Sequence, residues 1–362
     1  MTFVRLICEV FQFKNYANLA KVSINVILQV NFYAYMPKNI YFWTINFKNM
    51  RLIGILVPLL SLLLGGCGRN EEYEPVEISR LDQTLPAGVM PDNAEELNAA
   101  KTLFKLSGYG ELNDSSLAVY SGSPSIKLHT ETLDKYFSDI SDIEAGLGKM
   151  FGRMERICPE ITIPKVYAII SPFNQSVFTV DTLLYIGVNH YLGLGYKPYD
   201  YFPEFIRRTK VRERIVPDVA ETLIRKYYEY KPTGDYPTLL SRLLYEGAIV
   251  DAVMRLTGQT EREALGYNEK EMEWLEDNEK KIWETLITRK MLYSTDETLA
   301  MRLISPSAST SVLNIDAPGR AGRYMGYRIV HEYLKHNDVA PDRLLTPQFY
   351  DSPKTLQESR YH

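Results

Sequence analysis

The chain of 362 residues carries 41 basic and 45 acidic side chains, which gives a formal net charge of −4. Without the six basic residues and the single acid that precede Cys67, 35 basic and 44 acidic residues remain, and the net charge becomes −9. A chain this acidic is a poor candidate for binding nucleic acid or for electrostatic attachment to anionic lipid. The part after Cys67 is long enough for one large domain or two small ones, and we predict one, because no linker rich in Ser, Gly or Pro interrupts it.

Residues 50–67 have the layout of a bacterial lipoprotein signal. Arg51 follows a Met, residues 52–64 are almost wholly apolar, and two glycines stand directly before Cys67. This apolar run is shorter than the roughly 20 residues that span a bilayer, but it suits the core of a secretory signal. We therefore predict a signal peptide at 50–66 and lipidation of Cys67 as the first residue of the mature protein; the alternative is a short buried helix followed by a Cys. Two or three acyl chains, such as palmitate, anchor a protein firmly.

The residues on either side of this signal differ from the rest of the chain. Residues 1–49 contain one acid and no glycine, and we interpret them as an upstream extension outside the folded protein; the alternative is a cytoplasmic or membrane segment. Residues 67–75 form a lipidated tether, and we expect its polar, acidic residues 68–74 to be disordered. With Cys8 in the extension and Cys67 lipidated, Cys158 has no disulfide partner and is predicted to be a buried small hydrophobe.

Residues 76–362 are predicted to form a single α+β domain that is mainly helical and has a small antiparallel sheet. Residues 76–82 alternate apolar and polar side chains, which indicates a short strand. Residues 166–170 and 183–188 are rich in β-branched and aromatic side chains, which is typical of strands. We expect a long hairpin to join these two strands, because a polar stretch lies between them.

Helical spacing of apolar residues dominates the remainder of this domain. Residues 93–106 and 131–157 have this spacing, and Asp92 and Thr130 are placed to cap the two helices. Prolines separate the later helices from one another. These later helices are predicted at 202–209, 217–229, 237–257, 268–289, 295–303 and 322–336.

One acidic residue falls on the apolar face of the helix predicted at 237–257. The apolar face is a narrow stripe on the helical wheel, formed by Leu239, Leu243, Val250 and Val253. Glu246 lies in the middle of this stripe. A carboxylate there must be paired, protonated or open to a cavity, because an isolated buried charge is too costly. Glu246 is therefore a structural residue, a residue of a binding cleft, or a catalytic acid or base.

This helix resembles the active-site helix of zinc metallopeptidases. Their motif is His-Glu-x-x-His, because histidines at i and i+4 share one helix face and hold the same Zn²⁺ while the Glu activates water. The five corresponding residues here are Tyr245-Glu246-Gly247-Ala248-Ile249. Both ligand positions lack a histidine, so this site should not bind catalytic zinc. We assign no metal site, no other cofactor and no catalytic residue to the chain.

The most distinctive residues lie in the C-terminal third and are joined by a few earlier runs. They include Ile78-Ser79-Arg80-Leu81-Asp82, Ile186-Gly187-Val188, Leu244-Tyr245-Glu246-Gly247, Tyr267-Asn268-Glu269, Ile282-Trp283, Leu292-Tyr293-Ser294-Thr295-Asp296 and Pro318-Gly319-Arg320-Ala321-Gly322-Arg323. In order and spacing, over residues 76–361, the chain resembles the gliding motility-associated lipoprotein GldB family of Bacteroidetes. The resemblance implies a membrane-anchored, extracytoplasmic component of the gliding and associated secretion machinery, with no established catalytic activity. It also implies a fold like a zinc peptidase scaffold that has dropped its metal.

A glycine-rich turn leads into the last long helix. Gly322 and Gly326 lie four residues apart on one face, which allows another helix to approach closely, and the helix that carries Glu246 is the expected neighbour. Arg320 or Arg323 could then reach Glu246 and neutralise it. In a rival interpretation, the backbone amides of the turn and the same arginines bind an anion such as a peptide carboxylate or a phosphate. We group four residues as a structural polar cluster or a candidate cleft: Tyr245, Glu246, Arg320 and Arg323.

Three functions are open at this point. The first is a non-enzymatic envelope lipoprotein that acts as an adaptor or assembly factor of a gliding or secretion machine. The second is a binding module that holds an extended polypeptide in a metal-free pseudo-peptidase cleft, and the third is a hydrolase with an unrecognised site. We expect the membrane, through the lipid on Cys67, and envelope proteins as partners, and no nucleic acid. The expected location is the extracytoplasmic side of the cell envelope, at the inner or the outer membrane.

Overall fold

Most of the described chain is helical, and one small sheet accompanies the helices. The computed structural model describes residues 73–171, 175–234 and 237–362. The predicted extension, the signal peptide and Cys67 lie outside these residues. Within the described ranges, no helix is both long enough and apolar enough to cross a membrane.

The elements are numbered in chain order. The strands are β1 (Ile78–Arg80), β2 (Lys165–Ile169), β3 (Val177–Val180) and β4 (Leu183–Gly187). The helices before β2 are α1 (Leu81–Thr84), α2 (Ala94–Leu106), α3 (Asp114–Gly122), α4 (Pro124–Tyr136) and α5 (Ser141–Ile157). Those after β4 are α6 (Glu204–Arg207), α7 (Ile215–Tyr227), α8 (Leu239–Thr257), α9 (Glu261–Leu265), α10 (Glu269–Thr288), α11 (Glu297–Ile304), α12 (Ala321–His336), α13 (Pro341–Leu344), α14 (Pro347–Tyr350) and α15 (Thr355–Ser359).

The four strands form a mixed sheet in the order β1-β2-β4-β3. Strands β1 and β4 run parallel to β2 on its two sides, and β3 runs antiparallel to β4. The prediction of an antiparallel sheet, with a hairpin between 166–170 and 183–188, is therefore wrong. The residues between these strands contain β3, which makes the hairpin with β4 through a turn at Asp181, where φ is 51°. The connection from β2 to β4 contains β3 and is longer than a hairpin turn. It therefore allows β2 and β4 to pair in parallel.

The helices predicted from residue 202 onward correspond to α6, α7, α8, α10, α11 and α12, with small shifts of their ends. The single helix predicted at 131–157 is wrong, because α4 and α5 are separate helices. Thr130 was predicted to cap that helix, but it lies inside α4, where its hydroxyl donates to the carbonyl of Ile126 at 3.0 Å. Asn93, rather than Asp92, caps α2, since its side chain accepts from the amide of Glu96 at 2.8 Å.

The end of the predicted tether is in contact with α5. The ring of Tyr73 packs against Gly152, and the guanidinium carbon of Arg156 lies 5.5 Å from the ring centroid. A Cβ at Gly148 would overlap the carbonyl oxygen of Glu74. Since neither glycine carries a side chain, the chain can lie directly on the helix. This part of the tether is therefore packed, contrary to the predicted disorder.

Cys158 directly follows α5 and is fully buried, as predicted. Burial, and to a smaller extent the charge of Asp342, raises the pKa of its thiol to about 12. The thiol is therefore protonated at neutral pH.

Helix α8 is buried on almost all sides, and α12 crosses it at very short range. A Cβ at Gly326 of α12 would overlap the carbonyl oxygen of Leu243, and a Cβ at Gly247 of α8 would overlap the backbone of Gly326. Two helices approach this closely only where no side chain stands between their backbones. The predicted close approach of α12 to the helix that carries Glu246 is confirmed.

Gly326→Ala is expected to lower the free energy of unfolding by about 1–3 kcal/mol, because the added methyl group would force α8 and α12 apart. The helix preference of Ala acts in the opposite direction by about 1 kcal/mol, so a net loss reports the steric effect. Urea unfolding followed by circular dichroism measures the change. The matched control is Gly122→Ala in α3, because within the described ranges no atom outside the adjoining residues and the helix's own backbone lies within 4 Å of the added Cβ there. A Gly326→Ala protein as stable as this control would contradict the packing argument.

Candidate functional site

Glu246 lies in the middle of α8, with only 4% of its surface exposed. Arg225 of α7 donates from Nη1 to its Oε1 at 3.0 Å and from Nη2 to its Oε2 at 2.6 Å. Both carboxylate oxygens thus accept from one guanidinium, in the bidentate and charge-assisted arrangement that gives strong hydrogen bonds. Arg225 is a partner of Glu246 that was not among the arginines predicted to reach it.

Arg323, in the first turn of α12, is a second cation beside Glu246. Its Nε lies 3.2 Å from Oε2 but forms no hydrogen bond there, so the contact is ionic. Its Nη2 donates to Oε2 of Glu221 at 2.9 Å, and Oε1 of Glu221 also accepts from Arg225 at 2.9 Å. Two glutamates and two arginines from three helices therefore form one cluster. We call Glu221, Arg225, Glu246 and Arg323 the Glu246 network.

The Glu246 network keeps its carboxylates ionised. Burial acts to raise the pKa of Glu246, but the charge and hydrogen bonds of Arg225, together with the charge of Arg323, hold it below its ordinary value of 4.5. Burial also opposes ionisation of Glu221, yet the nearby guanidinium charges, that of Arg323 first, hold its pKa well below 4.5. A general base works best when its pKa lies near the working pH. Of the three roles considered for Glu246, the geometry therefore favours the structural one.

A sequence signal for the two missed residues was present. Glu221 and Arg225 are four residues apart on α7, which is the spacing of an ion pair within a helix. Such pairs are common on exposed helix faces, so the spacing alone does not indicate that they neutralise a buried carboxylate on another helix.

The two positions that carry zinc ligands in metallopeptidases are filled by Tyr245 and Ile249. The hydroxyl of Tyr245 donates to the carbonyl of Tyr228 at 2.8 Å, and the guanidinium carbon of Arg225 lies 5.9 Å from its ring centroid. Ile249 is fully buried. Among the residues that the structure describes, no group of three or more His, Cys, Asp or Glu side chains could hold a metal ion.

Arg320 stands directly before α12, with its backbone in the left-handed region at φ 64°. That conformation costs a residue with a side chain about 1–2 kcal/mol. Its Nε donates to the carbonyl of Ile304 at 3.2 Å, and no carboxylate of the described chain lies within 4 Å of its guanidinium. Burial, and then the charge of Arg323, lowers the pKa of Arg320 to about 10. Of the two arginines expected to reach Glu246, Arg323 contacts it and Arg320 does not.

A cavity of about 310 Å³ opens beside the Glu246 network. We call it the arginine cavity, because its charged lining consists of Arg208, Arg214, Arg225 and Arg320 with Asp218 and Glu221. A second cavity of about 330 Å³ adjoins it. The two cavities share Arg208, Thr209, Arg214, Gly266 and Tyr267. We call the two adjoining cavities together the groove.

Glu246→Gln is expected to weaken the pH dependence of stability. Because the folded protein holds the pKa of Glu246 below 4.5, the unfolded chain binds more protons in acid, and the free energy of unfolding falls as the pH drops below about 5. The stability that ionised Glu246 contributes is fully present at a pH above its pKa in the unfolded chain. It is lost as the pH falls through the lower pKa of the folded protein. The variant lacks this titration. At pH 7 it should be less stable by about 3–5 kcal/mol, because the buried Arg323 and the half-buried Arg225 lose a counter-charge.

Urea unfolding from pH 7 to pH 3 measures both effects. Glu284→Gln removes an exposed carboxylate from α10, and this control should stay within about 0.5 kcal/mol of the unmodified protein at pH 7. Identical pH profiles for Glu246→Gln and the unmodified protein would contradict the proposed balance of charges.

Comparison with known proteins places the chain in a family. A family model described as gliding motility protein GldB matches residues 69–362, which include the Glu246 network and the arginine cavity. No curated protein and no solved structure gives a significant match. The likeness to a zinc metallopeptidase fold therefore stays a prediction. The chain belongs to the gliding motility protein GldB family, and it is a gliding motility-related protein.

Proposed function

We propose that this protein is a lipid-anchored component of the gliding machinery, or of the secretion machinery associated with it, on the extracytoplasmic side of the envelope. It acts there by contact, as an adaptor or assembly factor, rather than by catalysis. The observation that carries the non-catalytic part is the state of Glu246, the one residue present from the metallopeptidase motif. Both of its oxygens accept from Arg225, and Arg323 lies against it. A carboxylate engaged in this way is poorly placed to take a proton from water, as a general base must.

The sequence around Cys67 supports the lipid anchor. A basic residue, an apolar run and two glycines precede this Cys in the order of a lipoprotein signal. The family match begins at residue 69, so the family domain starts directly behind the proposed lipidated residue. A Cys with two or three acyl chains holds a protein firmly at a membrane, which keeps the domain at the envelope.

The groove favours a second candidate function, that of a binding module which holds an extended polypeptide without cutting it. The arginine cavity and its neighbour share five lining residues, so they adjoin, and an extended ligand could contact both. An adaptor would use its outer surface, whereas a binding module would use this groove. The two candidates therefore differ in which residues a partner needs.

Cys67→Ala is expected to release the protein from membranes, because without the acyl chains no lipid holds it there. Fractionation of cells followed by immunoblotting measures the share in the membrane pellet. Cys158→Ala removes the other thiol after the signal and should leave the protein in the membrane fraction. A Cys67→Ala protein found wholly in that fraction would contradict the anchor.

Cross-linking of the protein in its own envelope is expected to capture proteins of the gliding or secretion machinery. Arg320→Ala and the exposed control Arg302→Ala separate the two candidates. An adaptor keeps its cross-links in both variants, whereas a groove binder loses its partner only in Arg320→Ala. Stoichiometric zinc that a chelator removes together with a peptidase activity would contradict both candidates and support a hydrolase.

A further inference from the structure

Cations outnumber carboxylates around the arginine cavity. Arg208 pairs with Glu271 at 2.5 Å, and Arg214 pairs with Asp218 at 2.6 Å. In the Glu246 network, two arginines face two glutamates. Arg320 has no paired carboxylate, since no acidic side chain of the described residues lies within 4 Å of it. The lining of the cavity therefore carries an excess of positive charge at Arg320.

The contacts of Arg320 leave one side of its guanidinium available. The carbonyl of Ile304 holds Nε, and no atom in the described part of the protein accepts from Nη1 or Nη2. The side chain is half-buried and lines the cavity, so water compensates its charge only in part. Burial and repulsion from Arg323 already lower the pKa of Arg320 to about 10. An oxyanion in the cavity would relieve this cost, because two oxygens can accept from the two Nη groups at once.

The backbone at Arg320 supports a binding role for its side chain. Glycine is the residue that ordinarily adopts the left-handed conformation seen here, because it has no Cβ. An arginine keeps the strain although its side chain donates a single hydrogen bond within the described chain. Strained residues cluster at ligand sites, where the surrounding structure holds them in place.

The walls of the cavity define the rest of the ligand. Apolar side chains stand beside the charged ones, namely Val177, Phe205, Ile206, Leu265 and Pro306. A volume of about 310 Å³ equals that of about ten water molecules, which is room for a carboxylate and one apolar side chain. The adjoining cavity has space for the residues that precede them. A free phosphate has no apolar part and would leave these walls unused.

We propose that the arginine cavity binds the C-terminal carboxylate of a polypeptide whose last residue is apolar. Nη1 and Nη2 of Arg320 donate to the two carboxylate oxygens, and the apolar side chain lies against the apolar walls. This proposal rests on the second candidate function, the binding module, and gives its ligand a chemical class.

Three small probes test the proposal on the full chain purified in detergent at constant ionic strength. They are N-acetyl-leucine, its neutral counterpart N-acetyl-leucinamide, and inorganic phosphate. N-acetyl-leucine is expected to raise the thermal unfolding midpoint in a saturable way, since it binds the folded protein, whereas the amide lacks the charge and should not. An equal shift with the amide, or a shift with phosphate alone, would overturn the proposal.

Arg320→Gln should weaken the binding of N-acetyl-leucine by about tenfold or more, because it removes the charged donors. Without a probe, this variant should unfold at or above the unmodified midpoint, since burial and the charge of Arg323 disfavour the Arg320 cation more than the charges of nearby glutamates favour it. That measurement excludes unfolding as the cause of lost binding. Arg302→Gln makes the same change of charge on an exposed face of α11 and should bind as the unmodified protein does. Undiminished binding by Arg320→Gln would overturn the proposal.

The outcomes separate this proposal from the function on which it rests. No response to N-acetyl-leucine, with a cross-linked partner that is lost in Arg320→Ala, would overturn the carboxylate site and leave the binding module standing. Saturable binding of N-acetyl-leucine without a partner that depends on Arg320 would support the site and remove the binding module as the function.

Discussion

The close crossing of α8 and α12 is the constraint on which the rest of the site depends. Since no side chain separates the backbones at Gly247 and Gly326, the first turn of α12 comes near enough for Arg323 to contact Glu246. The same approach brings the turn at Arg320 to the wall of the arginine cavity. One steric condition thus determines both the ionic contacts and the shape of the cavity beside them.

We expect the Glu246 network to contribute more to the choice of helix arrangement than to net stability. Taking charges out of water costs several kcal/mol per ion, and pairing offsets this cost only when the geometry is good. A different register of α12 on α8 would separate Arg323 from Glu246 and leave charge buried without compensation. The network therefore penalises alternative packings of α7, α8 and α12, while the apolar side chains around it supply the driving force for burial.

Local patterns predicted what depends on local geometry. Helices α8 and α12, the buried place of Glu246 and the close contact at Gly326 all follow from helical spacing, and the family followed from the order of short runs of residues. The parallel pairing of β2 with β4 could not be predicted in this way, because it depends on a third strand, β3, in the connection between them. Arg323 rather than Arg320 contacts Glu246 because the backbone at Arg320 is left-handed, and no residue pattern predicts that conformation. Arg225 was missed because its contact with Glu246 joins two helices across the core.

The burial of Cys158 has a consequence for the extracytoplasmic location that we propose. Such compartments favour disulfide formation, and a sulfur takes part only as an accessible thiolate. The sulfur that follows α5 is enclosed and protonated, so it meets neither condition. In the folded state, residues 73–171, 175–234 and 237–362 therefore offer thiol oxidoreductases no reactive thiol.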